Sequence, residues 1–169
     1  MGITGGIHVT EPRTIEVGAK APSFELRSNT GEEVSLASFE REKTVVLYFY
    51  PKDETPGCTR EACSFRDLSS EFQELDTVIL GISLDSTDSH TSFALKHQLT
   101  FPLLSDTDAS VSKTYGVYRE KVLYGKSHWG IERTTFVIDR RGIIRHIWRR
   151  VKVEEHAQEV LEFVRRELA

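Results

Sequence analysis

The stretch TVVLYFYPKDETPGCTREACSFRD, Thr44 to Asp67, decides how the chain folds. Thr44–Tyr50 is an unbroken β-branched and aromatic run, the composition of a strand buried on both faces. Pro51 and Pro56 bracket a short loop after it. Thr55 precedes a proline, so its backbone is biased away from helical dihedrals. Pro56 suits the first position of a helix, which makes Thr55 the expected N-cap, its hydroxyl free to accept an N–H two or three residues on. A second buried run, TVILGISL (Thr77–Leu84), follows. One helical segment between two such strands predicts a parallel strand–helix–strand unit.

Outward from this unit the pattern continues. Phe24–Leu26 and Glu33–Leu36 flank the turn signal Ser28-Asn29-Thr30-Gly31 and read as an N-terminal hairpin. A helix is expected near Asp88–His97, a short strand at Phe101–Leu104, and a short helix near Ala109–Tyr115. Thr134–Asp139 and Ile143–Trp148 flank Arg140-Arg141-Gly142 as a second hairpin. From Glu154 the chain reads as a helix, with Ala157, Val160, Leu161, Val164 and Leu168 on one apolar stripe. The fold class is α/β: a central mixed sheet with helices on both faces. Residues 15–169 are expected to form one domain, and Gly-rich residues 1–14 a flexible tail.

Composition narrows the function. The 169 residues are 38% hydrophobic and 28% charged, with a formal net charge of −4. The acidic balance argues against general nucleic-acid binding, and no apolar run reaches membrane-span length. The first twenty residues lack the apolar core of a secretory signal. A cytoplasmic setting is expected, and there a close cysteine pair is more often chemical than structural. The basic residues Arg140, Arg141, Arg145, Arg149 and Arg150 are spread over a turn and two strand faces, which reads as a solvated edge. The six histidines have no metal-ligand spacing, so no metal site is expected.

The only two cysteines are Cys58 and Cys63. Cys58 falls in the first helical turn, where backbone N–H groups lack partners and an anion is favoured. Lowering a thiol pKa from about 8.5 to about 6 takes roughly 3.4 kcal/mol. A helix end supplies about 0.3–1 kcal/mol, or about 2 when partly buried. A close cation adds on the order of 4 kcal/mol before desolvation. Lys52 and Arg60 are local candidates, but Asp53, Glu54 and Glu61 oppose them, so an arginine from elsewhere in the fold is expected. At about 100° per residue, Ala62, Phe65, Leu68, Phe72 and Leu75 form an apolar stripe with Cys58 at its edge. Cys63 lies about 140° around from Cys58 and should point to solvent. The rise between them is about 7.5 Å. A disulfide wants Cα atoms within about 7 Å and converging Cβ vectors, so an intact helix cannot form one. Either the pair never bonds, or the first turn unwinds when it does.

YPKDETPGCTREACSFRD resembles the active segment of the peroxiredoxins. Pro51, Thr55 and Cys58 fit the pattern PxxxTxxC, and the spacing of Cys58 and Cys63 is that of the peroxiredoxin Q group, also called bacterioferritin comigratory proteins. VGAKAPSFEL (Val17–Leu26), FPLLSD (Phe101–Asp106) and GIERTTFVID (Gly130–Asp139) agree with the same family in order. The resemblance implies a thioredoxin-like fold and a peroxidase acting on hydrogen peroxide and alkyl hydroperoxides without metal or bound organic cofactor. By motif it implies Cys58 as the peroxidatic nucleophile, Thr55 and Pro51 as shapers of its pocket, and Arg133 as the arginine that stabilises the thiolate. It further implies Cys63 as the resolving cysteine in an intramolecular disulfide, recycled by thioredoxin or a glutaredoxin in its place. A monomer is expected, since the resolving thiol is on the same chain. A protein disulfide reductase and a redox-sensing binding protein are the competing readings.

Overall fold

The computed structural model describes residues 15–169, so the tail expected over residues 1–14 lies outside the described residues. Among the described residues, nine strands and five helices follow in chain order. They are β1 (Glu25–Arg27), β2 (Glu33–Ser35), β3 (Thr44–Phe49), α1 (Pro56–Asp67), α2 (Ser69–Glu74), β4 (Thr77–Ser83) and α3 (Thr87–His97). Then come β5 (Leu103–Ser105), α4 (Ser110–Thr114), β6 (Tyr118–Leu123), β7 (Lys126–Ile131), β8 (Thr134–Ile138), β9 (Ile144–Arg149) and α5 (His156–Glu167). A 3-10 turn, Leu36–Phe39, joins β2 to β3.

The central sheet has the order β5-β4-β3-β8-β9. β3, β4 and β5 run parallel, and β8 and β9 are antiparallel to their neighbours. The sheet is therefore mixed, and β3 lies at its centre with every residue buried. Side chains alternate across a strand, and β3 feeds two cores. Val46, Tyr48 and, just past the strand, Tyr50 pack with Cys58, Phe65, Phe72, Phe93 and Val160. Val45, Leu47 and Phe49 pack with Phe24, Leu36, Tyr115, Phe136 and Ile138. The first face is covered by α1, α2, α3 and α5, the second by the N-terminal hairpin, the 3-10 turn and the chain around α4.

The segment after the Pro51–Thr55 loop is two helices rather than one. At Leu68 the backbone leaves the helical region, with φ −104° and ψ 8°. Two serines follow, and the Ser69 hydroxyl bonds Thr100 Oγ1 at 2.6 Å, a partner outside the helix. Ala62, Phe65 and Phe72 of the expected stripe are buried, and Leu68 and Leu75 pack partly against them. A hairpin that sequence reasoning missed joins β6 to β7 through Tyr124 and Gly125, both at positive φ (55° and 76°), a tight two-residue turn. Its strands are mostly exposed, and Trp129, stacked on Tyr118 at 5.5 Å, is 55% exposed. The basic residues near the second turn are tied locally: Arg140 to Asp76, and Arg141 and Arg145 to Asp139. Among the described residues, no helix is long and apolar enough to cross a membrane.

Candidate active site

The site forms where β3 runs out into α1. Thr55 is extended (φ −86°, ψ 152°), Pro56 opens the helix, and the Thr59 N–H makes an early helical bond to the Thr55 carbonyl at 2.8 Å. The expected side-chain cap is absent. The Thr55 hydroxyl donates instead to the Lys52 carbonyl at 2.9 Å, which tightens the loop and leaves its oxygen lone pairs free. Cys58 is 1% exposed, at the rim of the first core as expected. Cys63 is half-buried rather than fully turned to solvent, and both cysteines are free thiols.

The distant cation is Arg133, and strand register delivers it. Phe49, the last residue of β3, pairs with Thr134, the first of β8. Arg133 therefore meets the loop that Tyr50 and Pro51 begin. Its Nη2 donates to Cys58 Sγ at 3.4 Å and its Nη1 to Glu61 Oε1 at 2.6 Å. Burial alone would weaken its charge, but Glu61 and Cys58 more than restore it, so Arg133 stays cationic. The local candidates play no such part: Arg60 is exposed and pairs with Glu154 at 3.7 Å. Glu132 pairs with Arg150 at 3.7 Å, which leaves Arg133 to Glu61. Pro51 and Thr55 are half-buried in the loop that leads to Cys58.

Three further residues belong to the arrangement. A Cβ on Gly57 would sit 3.3 Å from Arg133 Nη2, so glycine lets the guanidinium close on Cys58. Lys121 of β6 donates to the Ile131 carbonyl; burial, then Arg133, depress its pKa against the pull of Glu132 and Cys58. Glu61 is 1% exposed, one helical turn after Cys58. Burial raises its pKa from 4.5 to about 7, even against the attraction of Arg133. Sequence reasoning counted Glu61 only as a charge opposing a local cation. Its i+3 spacing from Cys58, which puts both on one face, was the available signal.

Glu61 gives a pH signature. Below about pH 4.5 its carboxyl is neutral in both folded and unfolded chains; above about pH 7 it is charged in both. Its raised folded pKa thus contributes stability that is present at low pH and lost as pH rises through about 7. The loss is about 3 kcal/mol at about 1.36 kcal/mol per unit. His156 slopes the other way: burial, then Arg133, depress it from 6.5 to about 4, so stability is lost as pH falls through about 4. Wild type and Glu61→Gln share His156, so it cancels in their difference. Relative to Glu61→Gln, wild type should lose about 3 kcal/mol between pH 4.5 and 8, read by urea unfolding at each pH. A difference that does not change with pH would contradict a buried carboxyl here.

The chain resembles known proteins over most of its length. Residues 17–147 match the model of the AhpC/TSA family. A relative from Coxiella burnetii is 52% identical over 148 residues, spanning 88% of this chain and 97% of its own. Peroxiredoxin Bcp of Bacillus subtilis is 49% identical over 149 residues, spanning 88% of this chain and 94% of its own. Among solved structures, the bacterioferritin comigratory protein of Xanthomonas campestris superposes with a TM-score of 0.81 at 40% identity, covering 85% of this chain and 90% of that one. The match runs through most of this chain and of each relative: the chain belongs to the AhpC/TSA family and is a thiol peroxidase of the Bcp, or peroxiredoxin Q, group.

Proposed function

We propose that the enzyme reduces hydrogen peroxide and alkyl hydroperoxides through Cys58 and resolves the product with Cys63 as an intramolecular disulfide. The observation that carries this reading is the 3.4 Å contact between Arg133 Nη2 and Cys58 Sγ at the start of α1. Arg133 and the first-turn N–H groups favour the thiolate and the charge that develops on the peroxide. The thiolate attacks the terminal peroxide oxygen. The O–O bond breaks, the remaining oxygen leaves as water or alcohol with a proton, and Cys58 becomes a sulfenic acid. Thr55 and Pro51 shape the pocket, with the free lone pairs of the Thr55 hydroxyl available to the peroxide. The relative from Xanthomonas campestris is a protein of alkyl peroxide reduction activity, which supports including alkyl hydroperoxides.

Cys63 then attacks Cys58 Sγ. The S–O bond breaks, water leaves with the thiol proton, and a disulfide forms. An external dithiol, thioredoxin or a glutaredoxin, reduces it and is itself oxidised to a disulfide. The intact helix holds the Cα atoms of Cys58 and Cys63 about 7.5 Å apart along its axis. Resolution therefore requires the first turn of α1 to unwind. Both thiols lie on one helix of one chain, which supports a monomer, with residues 15–169 as its catalytic unit and the thiol-reducing cytoplasm as its setting.

Mass spectrometry after one equivalent of peroxide tests the reading. Wild type should lose both thiols and two hydrogen masses, with a peptide linking Cys58 to Cys63. Cys63→Ser should lose one thiol and gain one oxygen. A wild type that keeps Cys63 reduced, or links two chains, would overturn the intramolecular step.

A further inference from the structure

A buried polar cluster that the peroxide chemistry does not touch holds the loop between β3 and α1 from beneath. Asp53 is 4% exposed and His90 of α3 is fully enclosed. Asp53 Oδ1 accepts the Tyr50 hydroxyl at 2.7 Å. Asp53 Oδ2 accepts Ser89 Oγ at 2.8 Å and faces His90 Nδ1 at 2.7 Å. The other ring nitrogen, His90 Nε2, faces the Leu104 carbonyl at 3.0 Å. The Tyr50 hydroxyl also lies 3.4 Å from Nδ1; a carboxylate and a carbonyl only accept, so both close contacts are hydrogen bonds when each ring nitrogen donates. The Asp53 N–H donates to Asp85 Oδ2 at 2.8 Å, which also accepts Ser83 Oγ at 2.6 Å. Burial pushes the Asp53 carboxyl up, but the hydrogen bonds from His90, Tyr50 and Ser89 outweigh it and hold the group below the usual carboxylate range.

Asp53, Asp85 and His90 place their ligand atoms within 4.8 Å of one another, a spacing that a cation could use. The Asp53 and Asp85 oxygens already accept protein donors, so the cluster is an internal ion pair. A buried ion pair is seldom a gain in stability over apolar packing. What this one provides is a fixed point. It ties residue 53 to the end of β3, the end of β4, α3 and β5 at once.

That point lies five residues before Cys58. Beyond it come Glu54 at φ 66°, the Thr55 to Lys52 hydrogen bond, Pro56 and Gly57. Downstream, Ala62 and Phe65 are sunk in the core at 1% and 0% exposure. The residues between these two anchors are those that must unwind for Cys58 to reach Cys63. We propose that the Asp53–His90 ion pair is a positioning device: it fixes the upstream end of the unwinding segment and biases α1 toward its intact first turn. The proposal rests on the disulfide reading above. Breaking the pair shifts the balance toward the unwound turn. Attack on peroxide then slows, and resolution by Cys63 gains on over-oxidation, in which the sulfenate takes an oxygen from a second hydroperoxide to give sulfinate and release an alcohol or water.

The test uses Asp53→Asn in the full chain, which keeps the size of the side chain and removes the charge opposite the His90 ring. In the reduced protein, amide hydrogen exchange at residues 59–62, whose N–H groups bond back onto the first turn, should rise about 10-fold, with α5 unchanged. Nitrogen-15 NMR should show both His90 ring nitrogens carrying a proton in wild type and that signature lost in the variant. With excess peroxide, sulfinate should fall several-fold. His90→Gln, whose amide cannot span both acceptors, should behave alike and serves if Asp53→Asn does not fold. Unchanged exchange at 59–62, an equal rise across α5, or a singly protonated His90 in wild type would overturn the proposal. The exchange and NMR measurements need no peroxide, so they decide it separately from the peroxidase reading, whose failure would show as no Cys58–Cys63 disulfide in wild type.

Discussion

Cys58→Ser consumes no peroxide above the uncatalysed rate, in a protein that unfolds at close to the wild-type urea midpoint: this is the largest effect expected of any single substitution. Serine is near in shape to cysteine, and its hydroxyl can still accept from Arg133 Nη2, which stands 3.4 Å from the sulfur. Packing around a residue that is 1% exposed therefore changes little. The chemistry changes entirely. A hydroxyl reacts at neutral pH only with a base to take its proton. The groups around Cys58 are the cation Arg133, the partly buried Lys121, and Glu61, whose Oε1 is already occupied by Arg133. None is placed as a base for residue 58. Cys63→Ser is the informative partner, because it retains the nucleophile and should complete one turnover at the wild-type rate. Peroxide consumption by Cys58→Ser within about 100-fold of wild type would move the nucleophile elsewhere, since removing one that reacts covalently costs far more than that.

The two substitutions also mark what was legible in the sequence. Cys58 was, because everything that places it is local: the β3 run, a proline at the first helical position, and an apolar stripe at helical spacing. The need for a distant cation was legible too, as an energy that Lys52 and Arg60 could not supply. The identity of Arg133 came only by resemblance. Physically it depends on the pairing of Phe49 with Thr134, a register between strands 85 positions apart that no local pattern encodes. Glu61 went unrecognised for a related reason. Its charge opposes a thiolate until the arginine between them is in place, and then it helps to aim that arginine. Thr55 was misjudged in detail because its hydroxyl had two local acceptor or donor choices, and the loop closed on the Lys52 carbonyl. The hairpin of β6 and β7 escaped because its strands are mostly exposed on both sides, so no apolar alternation announces them.

Arg133→Leu should lower kcat/KM for peroxide by about 10²–10³-fold, the usual cost of one preorganised donor at a developing charge. Leucine leaves Glu61 buried without its partner, and a lone buried charge costs about 3–5 kcal/mol unless it takes up a proton. The double variant Arg133→Leu/Glu61→Gln removes that complication and should show the same loss in rate. Arg133→Lys should fall between, since an ammonium keeps the charge but cannot fork to Cys58 and Glu61 together. Gly57→Ala is the mildest form of the test. Its Cβ would lie 3.3 Å from Nη2, so the guanidinium must yield by a few tenths of an ångström with its charge intact. A several-fold loss is expected from so small a misplacement, against about 10²-fold for a full ångström. The pH profile separates two roles for the arginine. If Arg133 served only to ionise Cys58, alkaline pH would restore the leucine variant to the wild-type rate. If it also stabilises charge on the departing oxygen, the deficit persists after the thiol is fully ionised. The fork of Arg133 points to the second: Glu61 holds one arm at 2.6 Å and aims the other at Cys58, an orientation that a charge needed only for ionisation would not require.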